Sequence, residues 1–471
     1  MSNRKRSAEI SVEFLENCEK KFRQNPVNVI ARNAINSVGV MFSTINSERW
    51  NNVSHVFTNT VKRKGVKATD QGASGRCWMF AALNTFRHLI MKALNLENFE
   101  FSETYLYFWD KLERSNTFLH WFIDHPDCTP DNRAYNYMIT EYMSDGGWWN
   151  TFANLVEKYG LVPKTAMRET VQSSDSDDMN SIIERILLES VNYLRYRPEI
   201  NKEEFRLQTL QKIYDTLVKF LGQPPKRFNW NWQIITEEDD NLEAITVPNL
   251  TPEKFRDITM GGYNFRNDFL VLAHIPNLEY YKNFRVNLTN NVYEGQSCIL
   301  YNVPIEEMAK YARKSISKGI SVWFVADVKK HFNWYTSTLD DQLDDSKLIF
   351  EPSYEFNKGD RITMRELQGN HAMALTGYNT DEKGRTISWQ VENSWNYWDN
   401  LTPGLDGFLA MSQSWFEKYI TQIVVNKKFL TRSFLNRYNN SSVEELNPWD
   451  SMAPAGMKIP LGYVKTHKKI N

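Results

Sequence analysis

Cys77 stands where a glycine-bearing loop, Gln71-Gly72-Ala73-Ser74-Gly75-Arg76, runs into an apolar stretch that begins Cys77-Trp78-Met79-Phe80. A thiol is a useful nucleophile only as the thiolate, a form favoured at a helix N-terminus and beside an imidazolium. The junction of loop and helix supplies the first condition. Gln71, six positions earlier, can aim its side-chain amide at the same point. With the Cys77 backbone N–H it would hold the oxyanion of an acyl-transfer intermediate. A lone cysteine is by default a small buried hydrophobe, so this reading depends on partners elsewhere in the chain.

Two later segments supply them. Asn370-His371-Ala372-Met373 opens a strand-like run, and Val391-Glu392-Asn393-Ser394-Trp395 closes the next one. Paired as antiparallel neighbours, the two strands bring His371 and Asn393 together. Asn393 then accepts from one ring nitrogen while the other faces Cys77, the arrangement a Cys–His pair needs. Trp395 would shield that bond from water.

The elements that must position these groups follow from periodicity. Apolar residues throughout Cys77 to Leu94 predict a deeply buried helix. Ser102 reads as an N-cap for a helix from Glu103 to about Ile123. A third helix runs from about Trp149 to Tyr159 and stops at Gly160. Helical patterns also cover Val12 to Arg23, Met179 to Phe220 and Pro304 to Lys318. Strand-like segments rich in β-branched and aromatic residues follow at Ser321 to Val328, His371 to Tyr378, Thr386 to Asn393 and Thr421 to Val425. Helices in the first half and strands in the last third make an α+β layout.

The bulk numbers exclude several classes. The net charge is −1, from 56 Lys+Arg against 57 Asp+Glu, so no basic excess points to nucleic acid. The polar, basic start has no apolar stretch behind it, and no run of about 18 apolar residues occurs, so neither a signal peptide nor a membrane span is expected. Four scattered cysteines, Cys18, Cys77, Cys128 and Cys298, are expected as free thiols in a reducing, cytoplasmic setting. His120, His125 and Cys128 match no zinc spacing, so no metal is expected.

Together the three catalytic segments resemble the papain superfamily of cysteine peptidases. Its C-G-S-C-W signature corresponds here to Ser74-Gly75-Arg76-Cys77-Trp78, with Ser74 at the disulfide-forming cysteine position. The 294 positions from Cys77 to His371 exceed the roughly 130–150 of simple papain-like enzymes, so large insertions lie between them. The chain is similar to the bleomycin hydrolase and aminopeptidase C branch. The resemblance is carried by Ser74 to Asn84, Leu94 to Ser102, Asp145-Gly146-Gly147-Trp148, Val322-Trp323-Phe324, Lys330-His331-Phe332 and Val391 to Trp395.

This resemblance implies a papain-like two-lobe fold, one lobe helical and one β-rich, with large helical insertions. It implies Cys77 as nucleophile, His371 as base and acid, Asn393 as orienting residue and Gln71 as oxyanion donor, with no cofactor. Asp145, Gly146, Gly147 and Trp148 would line the substrate cleft, together with Asn370 and Trp395. Peptides with a free N-terminus are the implied substrates, and a homohexamer the implied assembly. The implied organisation is an arm over 1–60, a helical lobe over 61–164, a helical oligomerisation region over 165–320, a β-rich lobe over 321–435 and a C-terminal arm over 436–471.

The sequence departs from the branch in places. Trp449-Asp450-Ser451-Met452-Ala453-Pro454 resembles its terminal string, yet the chain continues to Asn471 with Lys458, Lys465, His467, Lys468 and Lys469. The extension can be trimmed, can thread elsewhere and leave the cleft open to internal bonds, or can block the cleft. Asn396 stands where the branch has glycine. Val325-Ala326-Asp327-Val328-Lys329 drifts from the usual Gly-Cys-Asp-Val-Gly. The competing readings are an endopeptidase and a self-blocked hexamer that binds peptide or nucleic acid.

Overall fold

The computed structural model describes residues 9–235, 242–350, 356–395 and 406–453. The acidic stretch at 237–240, Asn396 and the tail beyond Ala453 lie outside the described residues. The chain divides into two compact units, one of residues 1–54 with 340–355 and the other of 55–339 with 356–471.

The smaller unit holds the helices Val12–Gln24, Pro26–Ser43, Ser47–Asn51 and Ser346–Phe350. Ser11 and Asn25 cap the first two through their side chains. Gly39, at φ 80°, kinks the second. Arg49 pairs at 2.7 Å with the buried Asp340 carboxylate, which ties the two stretches of this unit together.

The larger unit contains the helices that flank the site and a mostly antiparallel sheet. Its strands, in chain order, are β1 Asn59–Thr60, β2 Phe228–Ile235, β3 Leu242–Leu250, β4 Phe269–Ala273, β5 Lys282–Val286, β6 Cys298–Asn302 and β7 Val322–Ala326. They continue with β8 Phe332–Asn333, β9 Thr338–Leu339, β10 His371–Thr380, β11 Thr386–Glu392, β12 Phe408–Ser412, β13 Ile420–Asn426 and β14 Val443–Leu446. The main sheet runs β14-β5-β6-β4-β13-β7-β10-β11-β12-β9-β8, with β1 on the far half of β10, while β2 and β3 form a separate hairpin.

The helix Cys77–Ala93 packs on β10 and β7, and its residues from Cys77 to His88 are all buried. The Trp323 indole N–H of β7 donates to the Trp78 carbonyl at 3.0 Å, which fixes the start of the helix against the sheet. Glu103–Asp124, capped by Ser102 as its sequence predicts, and Trp149–Tyr159 lie beside it. Helix and sheet thus bury one continuous apolar core between them.

One part of the expected organisation needs correction. The region 165–320 is not a helical insertion throughout, and its interior mixes one short helix, Pro252–Met260, with strands. Asp177–Tyr196 and Lys202–Leu221 are separate helices, broken at Pro198, and Ile305–Ser317 lies at the far end. Between them lie the β2–β3 hairpin and β4 to β6, and the latter three belong to the main sheet. β4 is buried along its whole length, so it lacks the polar alternation that marks a half-exposed strand. The N-terminal unit also ends at Ser54 rather than residue 60, since β1 belongs to the sheet. The C-terminal region contributes β14, parallel to β5.

Candidate active site

Cys77 is the first residue of its helix, and Arg76, the N-cap, makes no side-chain capping bond. The first amides of the helix are thus left to face the Cys77 sulfur, and this end favours negative charge. Cys77 is fully buried, and burial pushes its thiol up to about 12, opposed by backbone hydrogen bonds from Ala372, Trp78 and Cys77 itself. The Ala372 bond brings the sulfur to the residue that follows His371.

His371 opens β10 and is also fully buried. Its Nε2 lies 2.7 Å from Asn393 Oδ1. The Ser394 backbone N–H donates to the same Oδ1 at 2.8 Å. A backbone N–H only donates, so that Asn393 atom is the oxygen and Nε2 carries the ring proton. Nδ1 is then the basic nitrogen, and it has no hydrogen-bond partner among the described residues. Burial pushes the imidazole down to about 4, with the Asn393 bond opposing. The Trp395 ring stacks on His371 at 4.3 Å and 22°.

Gln71 reaches the same place through a different chain of bonds. Its Nε2 donates to the Ser74 carbonyl at 2.6 Å, and its Oε1 accepts from Ser394 Oγ at 2.6 Å. The carbonyl partner fixes which end of the amide is nitrogen. One Nε2 hydrogen remains beyond the Ser74 bond. The Gln71 backbone N–H also donates to the Ser394 carbonyl at 3.0 Å. Ser394 therefore joins Asn393 to Gln71, a role that its place in the sequence did not reveal.

Arg76 carries a second unanticipated role. Its guanidinium, fully buried, pairs with Glu169 at 2.8 Å and donates to Ser74 Oγ at 2.8 Å. Ser74 Oγ in turn donates to the Gln71 carbonyl at 2.7 Å, so hydrogen bonds brace this loop. Burial works against the Glu169 charge, but Arg76 and Lys164 outweigh it and hold this carboxyl down to about 2. Cys18, Cys77, Cys128 and Cys298 are all free thiols.

The expected cleft residues fare differently. The Asp145 carboxylate accepts from Tyr107 at 2.7 Å, Asn180 at 2.8 Å, Ser176 at 2.5 Å and the Gly75 N–H at 3.3 Å, and it pairs with Lys111 at 2.7 Å. Its carbonyl takes the Trp78 indole N–H at 2.8 Å. Asp145 thus braces the Cys77 loop from inside. Gly146 and Gly147 are buried too, and Trp148 is 6 % exposed. A Cβ on Gly147 would stand 2.5 Å from the Trp78 ring, so packing explains this glycine. The Asn370 side chain is engaged with Asp327 at 2.5 Å and the Val328 N–H at 3.0 Å.

Among the described residues, no three of His, Cys, Asp or Glu gather as metal ligands, and no helix is long and apolar enough to cross a membrane. Comparison with known proteins gives a consistent answer. The model of the Peptidase C1-like family matches residues 9–453. Aminopeptidase C of Listeria monocytogenes is 33% identical over 94% of this chain and 98% of its own length. Human (Homo sapiens) bleomycin hydrolase is 32% identical over 92% of this chain and 96% of its own. The crystal structure of PepW from Lactobacillus rhamnosis superposes with a TM-score of 0.87 at 28% identity, covering 95% of this chain and 99% of that one.

Proposed function

Because the chain belongs to the Peptidase C1-like family and has a papain-like fold, we propose that it is a cysteine aminopeptidase whose nucleophile is Cys77. The observation that carries this reading is the His371–Asn393–Ser394 arrangement. It fixes the imidazole tautomer and leaves Nδ1 as the base.

The chemistry is acyl transfer. Cys77 passes its proton to His371 Nδ1, and the thiolate attacks a peptide carbonyl carbon. The new C–S bond leaves an oxyanion, held by the Cys77 N–H and the remaining Nε2 hydrogen of Gln71. The imidazolium gives its proton to the leaving amine as the C–N bond breaks. Water, deprotonated at Nδ1, then cleaves the thioester and restores the thiol. Burial favours the neutral forms of both partners. The proton shift creates two opposite charges together, and their attraction, the helix N-terminus and the Ala372 N–H offset that penalty.

Preference for a free N-terminus is supported by the likeness to aminopeptidase C, and the C-terminal arm lies close to the site. Asp450, Ser451, Met452 and Ala453 line a small cavity with Leu367, Gln368 and Gly369, the loop that leads into His371. Arg365 donates to the Trp449 carbonyl there. The enzyme acts in the cytoplasm as a homohexamer on peptides with free N-termini.

A fluorogenic amino-acid amide assayed beside its N-blocked counterpart, with wild type and Cys77→Ala, tests the proposal. Cys77-dependent cleavage of the free amine alone is expected. Cleavage of the blocked substrate would instead indicate an endopeptidase with the arm displaced. Activity that survives Cys77→Ala would remove the mechanism.

A further inference from the structure

Glu392 ends β11 immediately before Asn393, is 1 % exposed, and has no place in the acyl-transfer steps. Its Oε1 accepts from Arg87 Nη1 at 3.3 Å, and its Oε2 lies 2.8 Å from His88 Nε2. Arg87 and His88 are themselves buried, on the same helix that begins with Cys77. Arg87 also donates to the Phe99 carbonyl at 2.6 Å and to the Lys67 carbonyl at 2.8 Å. Lys67 lies in the chain that leads to Gln71, and in that same approach Thr69 Oγ1 accepts from Asn84 of the helix at 2.8 Å. Glu392 pairs in register with Ala374 of β10, the strand that His371 opens. One buried node therefore touches every segment of the candidate site.

We propose that Glu392 is a positioning residue for the reaction: by bridging Arg87 and His88 it locks the helix carrying Cys77 to the strand end carrying Asn393. The inference rests on the roles proposed above for Cys77, His371 and Asn393. A buried ion pair adds little net stability over a well-packed apolar contact, because desolvation consumes most of its Coulomb energy. What it supplies is direction. Apolar surfaces slide past one another, whereas charge-assisted hydrogen bonds hold donor and acceptor within a narrow range of distance and angle. Arg87 and His88 stand about 15 Å along the helix axis from Cys77. A helix released there can shift along its axis and carry the sulfur away from Nδ1. A misplacement of about 1 Å can reduce turnover by about 10²-fold.

The test uses full-length Glu392→Gln, which keeps the side-chain volume and removes the charge, and Arg87→Lys, which keeps the opposing charge but loses the fork. Each is assayed for kcat and KM on the fluorogenic amino-acid amide, and for the rate of Cys77 alkylation by iodoacetamide, well below its melting temperature. We expect kcat to fall about 10- to 100-fold with KM changed less than about threefold, and alkylation to slow in parallel. Arg87→Lys should show a smaller loss in the same direction. If Glu392→Gln does not fold, Arg87→Lys carries the test alone. A lower melting temperature with wild-type kcat and alkylation rate would overturn the proposal and leave Glu392 a purely structural residue. Cys77→Ala in the same assay separates the two questions: activity retained there refutes the proposed function, whatever Glu392 does.

Discussion

At His371 a single proton decides what the site can do. The Ser394 N–H on Asn393 Oδ1 fixes the tautomer, so the base points away from Asn393 by construction. Burial lowers this imidazole to about 4 from 6.5. Nδ1 thus stays unprotonated at pH values where an exposed histidine has already taken up a proton. The acid limb of kcat/KM is expected near pH 4, with activity lost as pH falls through it. A limb at the free value in the pH profile would contradict the buried geometry. The same depressed value affects folding: as pH falls from about 6.5 toward 4 the unfolded chain takes up a proton that the native one does not, so stability declines. For Gln71, the oxyanion role predicts that Gln71→Ala loses about 10²–10³ in kcat with little change in KM. Steady-state kinetics would show it, and a rise in KM alone would mean that Gln71 binds substrate instead.

Helices and strands set these side chains, and the sequence announced them unevenly. The Cys77 helix, its Ser102-capped neighbour and the strands that carry His371 and Asn393 were legible because an apolar face, a cap and β-branched runs agree at each of them. β4 was not, because a buried strand of five residues has no alternation to read. Gln71, Cys77, His371 and Asn393 were legible through spacing and chemistry. Ser394, Arg76 and Glu169 were not, because their value lies in hydrogen bonds between distant segments. Asp145, expected at the cleft, also braces the Cys77 loop, a role that rests on the same kind of long-range bonds. Removing its charge by Asp145→Ala strands the buried Lys111 ammonium, at a cost of about 3–5 kcal/mol. Thermal or urea unfolding measures this, and an unchanged midpoint would mean that Lys111 finds another partner. Gly147→Ala should cost about 1–3 kcal/mol by forcing the Trp78 ring to move.

For the molecule as a whole, assembly is the property that most needs measurement. Light scattering of the purified protein is expected to return one species of six chains. A mass near 55.4 kDa would limit the proposal to a monomeric peptidase. The order of strands in the sheet bears on how any such molecule comes into being. The run β4-β13-β7-β10-β11 draws neighbours from residues as early as 269 and as late as 426. Until β13 has left the ribosome, β4 and β7 have no shared neighbour, and the two halves of the sheet are not joined. Contacts so distant in sequence also form slowly. The thiol made early in synthesis therefore waits for a base made some three hundred residues later. A half-made chain carries the cysteine but not the base, so the acyl-transfer site is assembled only when the sheet closes.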